Sequence, residues 1–343
     1  MKTKVITITI LLFFAVIFTA FSQQRVILQS NGTATAFGTV NSFVDAYNAA
    51  QDGDTIYLPG LEYVCPSPFN KRLVVFGTGH DPEATSATGR TIITSSNTIV
   101  FDPGASGSHL EGMYIGRHVG FRSNNKVDNV TFKRVHINGG ISIVGTNPEN
   151  RSENLLITES VFNGINGQNA SNMRVFNSFS NGGLQNLNEN SWIANNIIID
   201  NFYPVSHAYQ SHFENNIIIT IHSAASYTGV YFSNGNTFRN NIFNKNPTIQ
   251  DNNTWENNYT NTDPTALFVG YQTPFSYDAD YHLNSPVDFP GTTGDQAGLF
   301  GGYHPFKENA LPVTPHILNH TIATSADVEG NLQISISVQA QDR

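Results

Sequence analysis

The chain holds a single cysteine, Cys65, among 343 residues. That excludes an intramolecular disulfide framework and any multi-cysteine zinc site, so packing has to stabilise the fold unaided. Charge is scarce too: 13% of residues are charged, with 17 Lys and Arg against 26 Asp and Glu and a net charge of −9. A chain of that balance is, as a whole, a poor nucleic-acid binder. No P-loop, dinucleotide fingerprint or zincin motif occurs, and beyond residue 22 no segment is apolar enough to span a bilayer. Aromatic and amide side chains are what the sequence has in quantity. With 24 Phe and 13 Tyr it has ample apolar surface to order itself. Its 41 Asn, about one residue in eight, suit neither helices nor chance and require a structural cause.

The first 22 residues read as a secretory leader. Lys2 and Lys4 are followed by an apolar run from 5 to 19 and by Ala20-Phe21-Ser22, with small residues at the cleavage positions. Export follows, to the cell surface, the extracellular space or the periplasm, with a mature chain starting near Gln23. No cysteine stands at the cleavage site to carry a lipid.

A repeat occupies the middle of the chain. With Arg134, Ser160, Ser178, Asn196, Asn216, Asn241 and Asn258 as a reference column, the spacings are 26, 18, 18, 20, 25 and 17. Three positions earlier stand Thr131, Ile157, Val175, Ile193, Phe213, Phe238 and Trp255. One position later stand Val135, Val161, Phe179, Ile197, Ile217, Ile242 and Tyr259. A period near 21 with short apolar β-rich segments and no helical stretch is what stacked solenoid coils need, since a single coil cannot bury its apolar face alone. Asparagine then has two uses: it tolerates left-handed backbone at corners, and its amide can bond the same group one coil away, about 4.8 Å off. The pairs Asn195-Asn196, Asn215-Asn216, Asn240-Asn241 and Asn257-Asn258 read as such ladder positions.

Solenoid ends need caps. Asn41 is the expected N-cap of a helix over 41 to 51 that buries Phe43, Ala46, Tyr47 and Ala50, with early strands expected at 55 to 58, 73 to 76 and 91 to 94. Past Asn261 the repeat fades and prolines at 264, 274, 286, 290, 305, 312 and 315 argue against helices, until Leu332, Ile334, Ile336 and Val338 alternate as a final strand.

Several segments carry a resemblance. Ser42-Phe43-Val44-Asp45-Ala46, the run from Gly53 to Pro59 with Asp54-Thr55-Ile56-Tyr57-Leu58 inside it, Gly77-Thr78-Gly79, Gly104 to Gly112 before Met113 and the double-Asn coils are joined by Asp280-Tyr281-His282-Leu283, Ser285-Pro286, Asp295 to Gly302 and Leu311-Pro312. Together they resemble exported right-handed parallel β-helix proteins of the pectin-lyase-like superfamily, most of all uncharacterised members from Bacteroidetes. The resemblance implies an all-β fold: a right-handed parallel β-helix, or β-solenoid, with an N-terminal capping helix and a short irregular or β C-terminal extension. It divides the chain into a leader at 1–22, a β-helix domain at 23–290, and an extension or small β-module at 291–343. It does not specify an activity, because that superfamily holds lyases, hydrolases, epimerases and adhesins.

The catalytic motifs are thin. Asn261-Thr262-Asp263 is similar to one polygalacturonase motif, but the paired Asp, Gly-His-Gly and Arg-x-Lys of that family are absent. Asp278, Asp280, Asp288 and Asp295 are acidic enough for calcium, without a motif for it; no cofactor is identified and no metal ligands are assigned. Two surfaces remain. Arg117, Arg122, Lys126, Lys133, Arg134 and Arg151 face only Asp128 and Glu149 across 35 positions, a local net of +4 with His118 and His136 nearby, suited to an acidic polysaccharide. Tyr203, His207, Tyr209, His212, His222, Tyr227 and Tyr231 form an aromatic and histidine-rich set, in which His207 and Tyr227 each lie 11 positions after their reference Asn. The expected function is recognition of an extended, acidic polysaccharide, with Arg117, Arg122, Lys126, Lys133, Arg134, Tyr209 and His212 as binding residues. Two alternatives stand beside it: a uronate-polymer lyase using His207 and Tyr227 for proton transfer, and a structural or adhesive surface protein. Capped ends favour a monomer.

Overall fold

The computed structural model describes residues 25–250 and 252–340; the expected leader lies outside the described residues. The molecule is mostly β, a stack of about 10 parallel coils. Each central coil makes three short strands. In one, Trp192–Ala194 is followed by a sharp bend at Asn195, then by Ile197–Asp200, a turn, and Val205–Ser206. Stacking these strands builds three parallel faces, here called sheets A, B and C. Trp192 lies between Arg174 and His212 in sheet A, Ile197 between Phe179 and Ile217 in sheet B, and Val205 between Leu184 and Val230 in sheet C.

Alternate side chains turn inward and fill the coil. Ile193, Phe213 and Phe238 from sheet A meet Ile198, Ile218 and Phe243 from sheet B and Leu184, Val205 and Val230 from sheet C, all in one continuous core. Phe213 and Phe238 stack with ring centroids 4.9 Å apart.

The two asparagines of each pair divide the labour at the bend between sheets A and B. The first takes the left-handed conformation: Asn177, Asn195, Asn215, Asn240 and Asn257 have φ between 45° and 57°, which Asn accepts more readily than most residues. The second turns inward and joins the coils. Asn216 Oδ1 accepts from Asn196 N at 3.0 Å and Asn196 Nδ2 at 2.9 Å, and Asn241 Oδ1 and Asn258 Oδ1 repeat the arrangement. Ser178 and Ser160 continue the ladder with hydroxyls.

One register differs from expectation. Val135, not Arg134, stands opposite Ser160, because His136 pairs with Val161. Arg134 therefore occupies the left-handed corner with φ 49°, next to Glu159 at φ 50° and after Gly112 at φ 73°. The same shift moves Phe132, in place of Thr131, opposite Ile157.

The helix α1, Ser42–Ala49, caps the first coil with Phe43, Ala46 and Tyr47 buried. Asn41 precedes it but makes no side-chain cap; Lys71 Nζ instead donates to the carbonyls of Tyr47, Asn48 and Ala50 at its C-terminal end. Val26–Ser30 pairs antiparallel with Thr33–Phe37 and with Thr55–Tyr57.

Residues 264–313 return along the outside of sheet B. Despite the prolines, this return starts with a one-turn helix, Pro264–Leu267, whose first position needs no N–H, and Asp263 Oδ1 accepts from Thr265 N. The return buries a second apolar cluster, in which Phe179, Ile197, Ile199, Ile217, Ile219 and Ile242 meet Leu267, Phe268, Tyr281, Leu283, Leu299 and Phe306. That explains the unbroken triplets 197–199 and 217–219: strands of sheet B are covered on both faces. The final strand, Ile334–Gln339, pairs antiparallel with His316–Ile322 as a hairpin, and nearly every residue from 318 to 340 is exposed. Among the described residues no helix is long and apolar enough to cross a membrane.

Candidate polysaccharide surface

The outward positions of sheet C form a row that runs from coil to coil. Register places Gly120, Ser142, Asn166, Gln185, Ser206 and Tyr231 on successive coils. Five steps of about 4.8 Å make a row about 24 Å long. Its first part is a polar trough of about 320 Å³ lined by His118, Ser142, Asn166, Gln185 and Asp200. The flanking turns stay low because they are glycine-rich. A Cβ on Gly139 would sit 2.6 Å from His118 N, and one on Gly164 would sit 2.7 Å from the Gly183 carbonyl.

Two polar side chains at the trough hold its walls. His118 Nδ1 accepts from Gly140 N at 2.9 Å. Asp200 accepts from Gly183 N, Phe202 N and Tyr203 N at 3.1, 2.8 and 2.9 Å. That carboxylate is committed to shaping the turn that presents Phe202 and Tyr203.

Beyond Gln185 the row becomes aromatic. Tyr203 stacks on Tyr231 at 4.2 Å, and Tyr231 meets Phe232 at 4.3 Å. Phe202, His222 and Tyr227 form an adjoining group at 4.6 to 5.4 Å. Partial burial and the neighbouring Tyr231 and Tyr227 push the Tyr203 phenol above its ordinary pKa. A cavity of about 270 Å³ opens between Tyr203, Tyr231, Phe232, Thr228 and Gln250. Tyr231 is 37% and Phe232 54% exposed; grouped, exposed rings of this size mark interaction surfaces.

The structure thus gathers Tyr203, His207, His222, Tyr227 and Tyr231 on one surface, and adds Phe202 and Phe232. It does not put His207 and Tyr227 in one column. His207 N bonds the Tyr231 carbonyl and its ring lies on Tyr231 and Phe232, whereas Tyr227 lies four residues before Tyr231, on Phe202, Tyr203 and His222. Tyr209 is exposed beyond the bend, bridged to Asn234, and His212 lies on sheet A between Trp192 and Thr237. Gln185, Asn166 and Phe232 were missed because the turn lengths that align the row vary from coil to coil.

Each of the basic residues is engaged within the protein. Arg117 donates to the Ser95 carbonyl at 2.7 Å, Arg122 pairs with Asp102 at 2.6 Å, and Lys126 with Glu153 and Asp128 at 3.3 and 3.6 Å. Arg151 reaches Glu189, and Lys133 reaches Glu159, each at 3.7 Å. Arg134 is fully buried: Nε contacts Glu159 at 2.7 Å, and Nη1 donates to the Leu311 carbonyl at 3.1 Å beside Glu111 at 3.6 Å. It is closed to any polysaccharide, a correction to its expected binding role; the returning chain roofs the corner at which it sits. For Glu111, burial alone favours the neutral acid, but bonds from His109 and from Val313 N outweigh it and hold the carboxyl below its usual range.

Among the described residues no three His, Cys, Asp or Glu side chains gather to hold a metal ion. The architecture defines a parallel β-solenoid with a polar and aromatic track along one face. Comparison with protein-family models, curated proteins and solved structures finds no match.

Proposed function

We propose that this is an exported β-helix protein, related in architecture to the pectin-lyase-like superfamily, that recognises an extended polysaccharide along sheet C. The observation that carries this reading is the row from His118 to Tyr231. It runs from coil to coil, about as long as five sugar units at one unit per coil spacing, polar over one part and aromatic over the other. Sugar rings stack their C–H faces on Tyr and Phe, Gln185 offers a paired donor and acceptor for hydroxyls, and Asn166, whose Oδ1 already accepts from Asn186 Nδ2, offers its Nδ2 as donor. The paired state of the basic residues removes the reason for restricting the polymer to acidic ones. His207 and Tyr227 belong to the aromatic part of the track and serve as packing and stacking groups in this reading.

The test is affinity electrophoresis of the purified protein through gels containing neutral glucans, mannans and xylans, pectate or alginate. Retardation by at least one polymer is expected. Tyr231→Ala should weaken binding about tenfold, from loss of a stacked ring, and Gln185→Ala about threefold to tenfold. Retardation by none of them, or retardation unchanged in both variants, would overturn the assignment. Formation of unsaturated uronate products would move it to the lyase alternative.

A further inference from the structure

A second cavity, of about 190 Å³, lies away from this track on the outer face of sheet A, where residues 292–304 of the returning chain roof the coils. Phe176, Trp192 and Ala194 contribute its apolar wall, and Arg174, Glu214, Tyr303 and His304 lie around it. Phe176 and Trp192 meet edge to face at 5.7 Å.

Most polar groups around this cavity are already satisfied. Asn177 Nδ2 donates to the Leu299 and Gly301 carbonyls at 3.0 and 2.8 Å. Asn215 donates to Thr292 Oγ1 at 3.1 Å and accepts from Thr292 N at 3.0 Å. Glu214 pairs with Arg239 at 3.3 Å. Tyr303 and His304 stand at its exposed mouth, and on the wall itself two groups are left over. Asn195 Oδ1 is buried without a hydrogen-bond partner, in a residue only 9% exposed. Arg174 has neither an ion pair nor a side-chain hydrogen bond among the described residues. A buried acceptor without a donor costs stability that a ligand hydroxyl can return, and an unpaired guanidinium is a fork shaped for a carboxylate.

We propose that this cavity binds a small hydroxyaryl carboxylate. The aromatic ring packs against Phe176 and Trp192, the hydroxyl donates to Asn195 Oδ1, and the carboxylate pairs with Arg174. Arg174 is directly across from Trp192, and Asn195 stands three residues further on, at the left-handed bend that ends that strand. An extended path would set their Cα atoms roughly 11 Å apart at most, and both residues line the cavity, so they flank the aromatic wall from opposite ends. A pyranose fits less well: it carries hydroxyls around its whole rim, and a wall whose free groups among the described residues are Asn195 Oδ1 and Arg174, with Tyr303 and His304 only at the exposed mouth, leaves its enclosed hydroxyls mostly unpaired.

Isothermal titration of the purified protein with para-hydroxyphenylpropionate tests this, with phenylpropionate, para-ethylphenol and glucuronate as comparison ligands. Saturable binding of para-hydroxyphenylpropionate is expected, about tenfold tighter than either compound lacking one polar group. Arg174→Gln should erase the advantage over para-ethylphenol. Asn195→Gly, which keeps the left-handed corner, should erase the advantage over phenylpropionate. Trp192→Ala should abolish binding, with an unchanged circular dichroism spectrum showing that the fold persists. Absence of binding by the hydroxyaryl acid, equal or tighter binding of glucuronate, or an affinity indifferent to Arg174→Gln would each overturn the proposal; Arg174 is exposed, so that variant folds even if Asn195→Gly does not.

Discussion

Asparagine at the bend does two jobs that single substitutions separate. Asn216 lies wholly inside, accepting two bonds from Asn196 and donating to Asn241 Oδ1 and the Ile193 carbonyl at 2.9 and 2.8 Å. Removing it strands buried donors and a buried carbonyl, so Asn216→Ala should cost about 2–4 kcal/mol, seen as a lower urea midpoint. Asn257 has φ 50° and no side-chain bond of this kind. There Asn257→Ala should cost only about 1–2 kcal/mol for left-handed strain, and Asn257→Gly close to none. Equal losses at both sites would show that conformational strain, not the amide ladder, dominates. Arg134 and Glu159 occupy the same left-handed corner without being amides. They are held there by each other and by the Leu311 carbonyl, a contact 177 positions away in sequence.

The element on which most depends is the returning segment 264–313. Its Tyr277 hydroxyl lies between His136 Nδ1 at 2.7 Å and His80 Nδ1 at 2.9 Å, and donates to one ring while accepting from the other, which requires the accepting ring to be neutral. Burial, with the charge of Arg90 behind it, lowers the His136 pKa to about 4; burial, then His136 and Arg90, lower that of His80 well below its ordinary value. Burial likewise raises the Tyr277 phenol, keeping it protonated. Tyr114 and Phe275 complete the packing around His136. The unfolded chain takes up protons at these histidines below pH 6.5, and the fold does not. Stability should therefore fall as pH drops from about 6.5 toward 4, with His136 alone contributing up to about 3 kcal/mol of loss, and His136 should add nothing further below 4. Urea titrations at pH 7, 5.5 and 4.5 check the slope, which should shrink in His136→Phe. A flat profile in the parent protein would mean that these rings are protonated in the fold.

For the whole molecule, charge pairing predicts how binding responds to salt. The cations between Arg117 and Arg151 are each engaged by an acid or a carbonyl, and the sheet C track is polar and aromatic. Affinity for a polysaccharide bound there should change by less than about twofold between low and physiological salt, because stacking and neutral hydrogen bonds are not screened. A steep salt dependence, measured by the same gel method at two ionic strengths, would point back to the basic residues.

The coil period, the inward columns from Ile157 onward and the double-Asn corners were legible in the sequence, because each coil repeats the same local demand: alternate apolar residues and one left-handed turn. The aromatic set was legible as well, since five of its members lie between Tyr203 and Tyr231. What only the tertiary structure decided depends on segments distant along the chain. The sequence columns set Arg134 opposite Ser160, whereas stacking puts Val135 there and Arg134 at the roofed corner beside Glu159. The second core on sheet B needs residues 264–306 to cover it. Whether a cation is free depends on which coil its partner stands on. Turn lengths that differ between coils shift residues relative to any sequence column. Stacking at a fixed 4.8 Å spacing restores them to a row, which is why the sheet C track emerges only when the coils are superimposed in space.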